Sequence, residues 1–233
     1  VLAAKEAAAA VTQAHFQRVL EQQLMGGPAA VGQCAMNSDE RQRIAVHEAG
    51  HAIVAKLLAV GIVEKVSILK RGHALGVTLV TDDEDVILQS EHQWRARMLM
   101  LLAGRGAEAS ILGSISTGAA NDLERVSTMA YRMVAEFGFS RRIGPFSYAG
   151  LPDRERRLAE CPDVVAEARE IVKELERECD RLLTQHRAAL ERLTAALLES
   201  ETVSGTTVES CLAACSSPLD PDSRGEPTIA LAA

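Results

Sequence analysis

The chain has 233 residues, 47% of them hydrophobic, which is enough to bury one sizeable core in one main domain. Its 25 Lys and Arg residues stand against 32 Asp and Glu residues, and the charges are spread along the chain, which argues against a nucleic-acid-binding protein. Aromatic residues make up only 3%, and the other apolar residues are mostly Ala, Leu and Val, so the composition favours a mainly α fold over a β-sandwich.

The first 37 residues are predicted to form a helix and a linker. Residues 3–25 are rich in Ala, Gln and Glu, which favour a helix, and Gly26-Gly27-Pro28 ends it. The linker leads to a main domain that is predicted to span residues 38–215. Because the chain begins with Val rather than Met, it is compatible with a fragment of a longer protein.

The second predicted helix runs from Ser38 to about Val60. Ser38 is a good N-cap residue, and Asp39 and Glu40 suit the positive end of the helix dipole. Apolar residues then recur with helical periodicity along the segment. This helix carries the most informative motif of the chain.

A small β-hairpin is predicted next, followed by further helices. Short β-branched runs at residues 63–69 and 75–80, joined by a turn at 71–73, predict the hairpin. Helical patterns then predict four segments, at residues 88–112, 121–137, 163–199 and about 207–215.

The C-terminal part is predicted as a long amphipathic helix, a short helix and a tail. The candidate buried positions of the long helix are Leu175, Leu182, Leu183, Leu190, Leu193 and Leu197. Thr206 and Glu209 predict a capping box for the short helix. Residues 216–233, with their Pro, Ser, Asp and Gly, are predicted to be disordered.

The cysteines and the hydropathy predict a soluble chain in a reducing compartment. The five cysteines have no regular spacing and include no Cys-x-x-Cys pair, which argues against a disulfide framework. Cys211 and Cys215 lie one helical turn apart and are interpreted as buried small residues rather than metal ligands. No apolar stretch approaches the roughly 20 residues of a membrane span, and no signal peptide is visible. The expected compartment is the cytoplasm or an organelle stroma or matrix, at a membrane face if an anchor precedes the chain.

The motif His47-Glu48-Ala49-Gly50-His51 predicts a metal site. His47 and His51 lie one helical turn apart, so their imidazoles leave the same face and can share one tetrahedral metal ion. Glu48 lies about 100° around the helix, where a carboxylate can take a proton from a metal-activated water and pass it to the leaving amine. This division of roles is typical of zinc metalloproteases. Gly50 would let another backbone approach the helix closely.

An alternative interpretation treats both histidines as core residues. They belong to one stripe at helical spacing, formed by Ile44, His47, His51, Val54 and Leu58. Two histidines at this spacing, with a Glu next to the first, favour zinc over that alternative.

A hydrolytic zinc site needs a third protein ligand and an open position for water. Two residues compete for this role. Asp122 is predicted at a loop-to-helix junction, whereas Glu108 lies within the preceding helix. The alternative roles are a first-turn or N-cap carboxylate for Asp122 and a salt bridge to Arg105 for Glu108. Spacing alone does not choose between the two residues.

Four stretches resemble the peptidase domain of the FtsH-type ATP-dependent membrane zinc metalloproteases. They are HEAGHAIV at residues 47–54, RGHALGVT at 71–78, STGAANDL at 116–123, and GFS at 138–140 followed by GP at 144–145. In order and spacing they cover roughly residues 41–150, and the helices that follow extend the resemblance to about residue 215. This set is far more specific than the zinc motif alone.

The resemblance implies a set of site residues and a mode of action. Asp122 becomes the third ligand of a Zn²⁺ ion that His47 and His51 also bind, and Glu48 becomes the catalytic base. The strand near residues 76–79 becomes a sheet edge that can hold an extended substrate through its backbone. The resemblance also implies unfolded polypeptide substrates and a homo-hexameric ring fed by an ATPase.

The chain departs from the family pattern in two respects. Glu108 is followed by Ala109, where family members usually carry a second acidic residue. The 233 residues also contain no Gly-x-x-x-x-Gly-Lys-Ser/Thr phosphate loop, so the ATPase module is missing from this chain, although residues 3–27 resemble the end of an ATPase lid. The alternative function is a non-catalytic assembly module of the same fold, against which the intact Glu48 argues.

Overall fold

A computed structural model describes residues 36–70, 75–81, 88–149 and 162–215, together with residues 10–12, 15 and 19. The predictions for the N-terminal helix, its linker, the turn at 71–73 and the tail at 216–233 therefore lie outside the described residues, apart from those few N-terminal positions. Within the described ranges the fold is mainly α with a small antiparallel sheet, as predicted.

Helix α1, Ser38–Leu57, has a different cap from the predicted one. Asn37, not Ser38, is the N-cap residue: its side chain accepts a hydrogen bond from the Glu40 backbone N–H at 2.8 Å. The Glu40 carboxylate in turn accepts from the Asn37 N–H at 3.2 Å. Asparagine is among the strongest N-cap residues, and Glu40 completes the capping box only from this register.

The sheet has three strands in the order β2-β1-β3, with both pairs antiparallel. Strands β1, Ile62–Ser67, and β2, Val77–Thr81, form the predicted hairpin pair. Strand β3, Thr202–Ser204, was not predicted, because three residues between two helices are too few to show a strand pattern. Strand β2 lies at one edge of the sheet.

The next two helices match the predicted segments to within a few residues. Helix α2, Glu91–Leu112, begins with a capping box between Ser90 and Gln93 and ends at Gly113, whose φ of 65° is left-handed. A single 3-10 turn, Thr117–Ala119, leads directly into helix α3, Ala120–Ala135.

The predicted helix over residues 163–199 is divided into two. Helix α4, Pro162–Gln185, packs against α2 and α3, whereas helix α5, Arg187–Ser200, packs against α1. A break at His186 lets the two halves reach different partners. Leu182 is half-buried, and the other leucines predicted to face the core are buried, namely Leu175, Leu183, Leu190, Leu193 and Leu197.

The capping box predicted from Thr206 and Glu209 is wrong. Helix α6, Gly205–Ala213, begins two residues earlier than that box requires, with Ser204 at its N-cap and no side-chain cap bond. The backbone of Gly205 is packed so closely on the Val63 carbonyl of β1 that a Cβ there would collide with it. Strand β3 therefore runs directly into the helix, and Glu209 instead pairs with Lys56 at 2.5 Å.

Helix α1 is the centre of the core and packs most extensively on α2. Its small and branched side chains are fully buried, among them Ala45, Val46, Ala49, Ala52, Ile53, Val54 and Ala55. A Cβ at Gly50 would collide with the Ala103 carbonyl of α2 and would lie 2.7 Å from the Ala107 Cβ. The predicted close approach at Gly50 is confirmed, and it brings α2 against the His-Glu-x-x-His face of α1.

The described cysteines, Cys179, Cys211 and Cys215, are free thiols, with Cys179 buried and the other two half-buried. The prediction that Cys211 and Cys215 are buried is therefore only partly correct. The Cys215 Sγ accepts a hydrogen bond from the Arg192 guanidinium at 3.0 Å, which explains its position near the surface. None of the helices in the described ranges combines the length and the apolar character that a bilayer crossing requires.

Candidate metal centre

His47, His51 and Asp122 converge on one point between α1 and the first turn of α3. The two histidine Nε2 atoms are 3.0 Å apart, and the Asp122 Oδ2 lies 3.3 Å from each of them. A tetrahedral zinc site with bonds of about 2.0–2.2 Å has ligand atoms about 3.3–3.6 Å apart. The three atoms therefore form a triangle of nearly the size that one zinc ion requires.

The hydrogen bonds on the far side of each ring determine which nitrogen faces this triangle. The His51 Nδ1 donates to the Met100 carbonyl at 2.7 Å, and the His47 Nδ1 donates to the Glu108 carboxylate at 2.8 Å. Carbonyl and carboxylate oxygens can only accept, so each Nδ1 carries a proton and each Nε2 can offer a lone pair inward. Two lone pairs and a carboxylate then meet at one point, which is a donor set that a cation satisfies.

The shifted pKa values show that His47 and Asp122 stabilise each other's charged forms. Burial lowers the pKa of His47, but hydrogen bonds with Asp122 and Glu108 outweigh burial and raise it to about 9. Burial raises the pKa of Asp122, but hydrogen bonds with His47 and His51 outweigh it and lower the pKa below its usual range. The metal-free site thus holds a proton strongly, and a metal ion would displace that proton.

Glu108 lies outside the candidate metal-binding group, which is His47, His51 and Asp122, but supports it. Its side chain is only 1% exposed. One carboxylate oxygen accepts hydrogen bonds from the His47 Nδ1 and from the Ser116 hydroxyl, the latter at 3.1 Å. The other oxygen accepts a hydrogen bond from Arg43 at 2.8 Å. Burial raises the pKa of Glu108, but these three partners lower it to about 2, so the carboxylate is charged. It holds the His47 ring in the orientation that points Nε2 toward Asp122.

The alternative role of Glu108, a salt bridge to Arg105, is wrong. Arg105 instead pairs with Glu176 of α4 at 2.7 Å, because α4 covers that face of α2. The cation that pairs with Glu108 is Arg43, which sequence reasoning missed. Arg43 lies one helical turn before His47 on α1, a spacing that could have suggested a shared partner.

Arg43 also ties the network to the loop before α3. Its guanidinium donates to the Ser114 carbonyl at 2.9 Å and to the Ser114 hydroxyl at 3.0 Å. In the same loop Ser116 accepts from the Gly118 N–H at 3.1 Å and so shapes the turn before Asp122. Arg43 and Ser116 therefore both connect the loop that leads to Asp122 with the Glu108 carboxylate.

Gly104 provides the space in which the two imidazoles meet. A Cβ at this position of α2 would lie 2.5 Å from the His47 Nε2 and 2.6 Å from the His51 Nε2. Any side chain here would occupy the same volume as the ring nitrogens. Sequence reasoning missed this role, because a glycine within a helix does not reveal which neighbouring helix it faces.

Glu48 lies beside the triangle and outside the candidate metal-binding group. It is only 7% exposed, and its Oε2 accepts a hydrogen bond from the Thr78 hydroxyl of β2 at 2.8 Å. Burial raises the pKa of Glu48, while the neighbouring His51 and His47 oppose that rise. A buried carboxylate with a raised pKa is suited to gain and lose a proton, as a general base must.

Comparison with known proteins agrees with this geometry. Residues 34–211 match the family model described as Peptidase family M41. The chain is 37% identical over 223 residues to the ATP-dependent zinc metalloprotease FtsH 4 of Sorangium cellulosum, an alignment that covers 90% of this chain and 34% of that protein. It is 39% identical over 209 residues to the ATP-dependent zinc metalloprotease FtsH of Syntrophobacter fumaroxidans, covering 84% of this chain and 32% of that protein. The chain thus spans about a third of the length of the curated relatives it matches, and it belongs to peptidase family M41.

Proposed function

We propose that this chain is the proteolytic part of an ATP-dependent zinc protease and that it cleaves unfolded or flexible polypeptides as an endopeptidase. The observation that carries the proposal is the triangle of two Nε2 atoms and one carboxylate oxygen, with sides of 3.0 and 3.3 Å, beside the buried Glu48. The names of the relatives, which are zinc metalloproteases, support it.

In this proposal His47, His51 and Asp122 bind Zn²⁺. Two imidazole nitrogens and a carboxylate oxygen are a donor set that hydrolytic zinc sites use, with a further position open for water. Bound zinc supplies Lewis-acid activation of a water molecule and of the scissile carbonyl. Glu108 keeps the His47 ring oriented and does not contact the metal.

Glu48 is the proposed proton carrier. Its carboxylate accepts one proton from the attacking water while the water oxygen forms a bond to the carbonyl carbon. It then gives that proton to the amide nitrogen as the C–N bond breaks, so Glu48 returns to its starting state. The second water proton leaves with the new carboxyl group, which ionises. Burial supports this role, because it brings the pKa of Glu48 closer to that of the groups with which it exchanges a proton.

The proposed substrate contact is the free side of strand β2. Strand β2 pairs with β1 on one side, and within the described residues no strand pairs with its other side. An unpaired edge offers backbone N–H and C=O groups to an extended chain whatever its side chains. Only an unfolded or flexible segment can present its backbone in this way, so we infer loose sequence selectivity.

We infer that the partners of this chain are an ATPase and other copies of the chain, which together form a hexamer. Unfolding a stable domain costs roughly 5–15 kcal/mol of free energy. Peptide hydrolysis at this site does not supply that free energy. The purified chain with ATP should therefore cleave casein and leave a tightly folded, tagged domain intact. ATP-stimulated loss of the folded domain would contradict this division of labour.

The decisive experiment compares Glu48→Gln with the parent and with Glu199→Gln, a matched change at an exposed position of α5. Parent and control should contain about one zinc per chain and cleave casein until a chelator is added. Glu48→Gln should keep the zinc and lose cleavage, by about 10²- to 10⁴-fold. A parent that binds zinc but never cleaves would favour the non-catalytic assembly module.

A further inference from the structure

The Glu48 side chain packs against Gly76, just before strand β2, and against Thr78 within the strand. The Thr78 hydroxyl lies 2.8 Å from the Glu48 Oε2 and 3.1 Å from the Glu48 backbone carbonyl. Two residues earlier, a Cβ at Gly76 would lie 2.7 Å from the Glu48 Oε1 and 2.8 Å from its Cγ. Thr78 therefore bonds to one carboxylate oxygen, and the missing side chain at Gly76 makes room for the other.

Position 78 is well suited to hold a side chain in place. Thr78 is opposite Val66 in the β1–β2 ladder, so its backbone is fixed relative to the sheet. A β-branched side chain has few χ1 choices, which restricts where its hydroxyl can point. Glu48, in contrast, has three rotatable side-chain bonds, and within the described residues its carboxylate takes its hydrogen bond from Thr78.

We propose that Thr78 is a positioning residue for the general base. Its hydroxyl holds Oε2 of Glu48, which leaves Oε1 as the oxygen that exchanges the proton. This inference rests on the proposed function, because it assigns a task to Glu48 as a base. The strand proposed to bind the substrate would then also aim the carboxylate that serves it.

Two substitutions separate the hydroxyl from the packing of the side chain. Thr78→Val keeps the β-branched shape and the strand propensity but removes the donor, whereas Thr78→Ser keeps the donor and removes a methyl group. Thr128→Val is the matched control: the hydroxyl of Thr128 is exposed on α3 and donates only to the Glu124 carbonyl of its own helix, at 2.9 Å. All three variants and the parent are compared as zinc-loaded full chains.

Steady-state cleavage of a flexible peptide is the first readout. In Thr78→Val kcat should fall by about tenfold to a hundredfold, a loss typical of a misplaced catalytic group, while KM and the zinc content stay within about twofold of the parent. Thr78→Ser should recover most of kcat, and Thr128→Val should match the parent.

Crystal structures of the metal-free variants are the second readout, independent of activity. The Glu48 carboxylate should keep its position in the parent and in Thr78→Ser and should rotate or lose order in Thr78→Val. Unchanged kcat in Thr78→Val, or equal losses in Thr78→Val and Thr78→Ser, would overturn the positioning role. An inactive parent would contradict the proposed function itself, so the two failures are distinguishable.

Discussion

The two functional parts of the site are supported in different ways. The proposed metal-binding group, His47, His51 and Asp122, is backed by α2, where the Glu108 carboxylate and the Met100 carbonyl hold the histidine rings. Arg43 of α1 pairs with Glu108 and with the loop before α3. Glu48, the proposed base, lies on the same helix α1, but its carboxylate is held by one hydroxyl from β2. All five residues of β2 are half-buried. We therefore expect metal binding to depend on the buried network and proton transfer to depend on the edge strand.

This difference teaches that zinc retention and turnover should respond to different substitutions. Changes on the α2 and α3 side should lower zinc affinity first, and activity should fall because zinc is lost. Changes on the β2 side should lower turnover while zinc stays bound. The following changes would break or sharpen this distinction, beginning with the largest expected effect.

Asp122→Ala should cause the largest loss of zinc affinity, because it removes one of the three converging ligand atoms. Metal titration of the chelator-treated protein, with Glu108→Ala beside it, measures the loss. Glu108→Ala should retain more zinc, since it removes support for His47 and not a ligand. If Glu108→Ala loses its zinc and Asp122→Ala keeps it, the third ligand has been wrongly assigned.

Gly104→Ala should also weaken zinc binding strongly, although it removes no donor atom. The added methyl group would lie within 2.6 Å of both Nε2 atoms, so at least one ring must move. Metal titration should show the weakened affinity, while far-UV circular dichroism should show that the helices remain. Normal zinc affinity in this variant would mean that the rings have more room than the geometry indicates.

Glu108→Gln should lower zinc affinity by about 10–100-fold, the usual cost of losing a carboxylate that orients a metal-binding histidine. The side chain keeps its shape but loses the charge that pairs with Arg43 and holds the His47 proton. Glu176→Gln is the matched control, because that carboxylate is 46% exposed and pairs with Arg105 on the far face of α2. Equal affinities in the two variants would contradict the supporting role of Glu108.

Glu209→Gln should have the smallest effect. It removes a surface ion pair in which Lys56 is 37% exposed and Glu209 is 53% exposed. Such exposed pairs contribute about 0–1 kcal/mol to the free energy of unfolding. Thermal unfolding should change by a few degrees at most, and zinc content and peptide cleavage should both equal those of the parent. A loss of either would show that α6 is coupled to the site.

Sequence reasoning succeeded where the arrangement of the site depends on local geometry. The spacing of His47 and His51 on one helix determines their common direction, and their placement together follows from it. Asp122 could be singled out only through a resemblance, because its approach to the histidines depends on how α3 packs on the rest of the fold.

The features that sequence reasoning missed are contacts between distant segments. Arg43 and Glu108 meet across 65 residues of sequence, and Thr78 reaches Glu48 across 30. Strand β3 exists because β1 offers it a partner, and its three residues carry no pattern of their own. The break at His186 likewise follows from the different packing partners of α4 and α5.

The most direct test is a crystal structure of the zinc-loaded protein with anomalous data collected at the zinc edge. We expect one zinc ion, bound by Nε2 of His47, Nε2 of His51 and a carboxylate oxygen of Asp122 at about 2.0–2.2 Å, with Glu48 beside it and not bound to it. Zinc bound by Glu108 or Glu48 in place of Asp122, or zinc at another position in the chain, would contradict the proposed site.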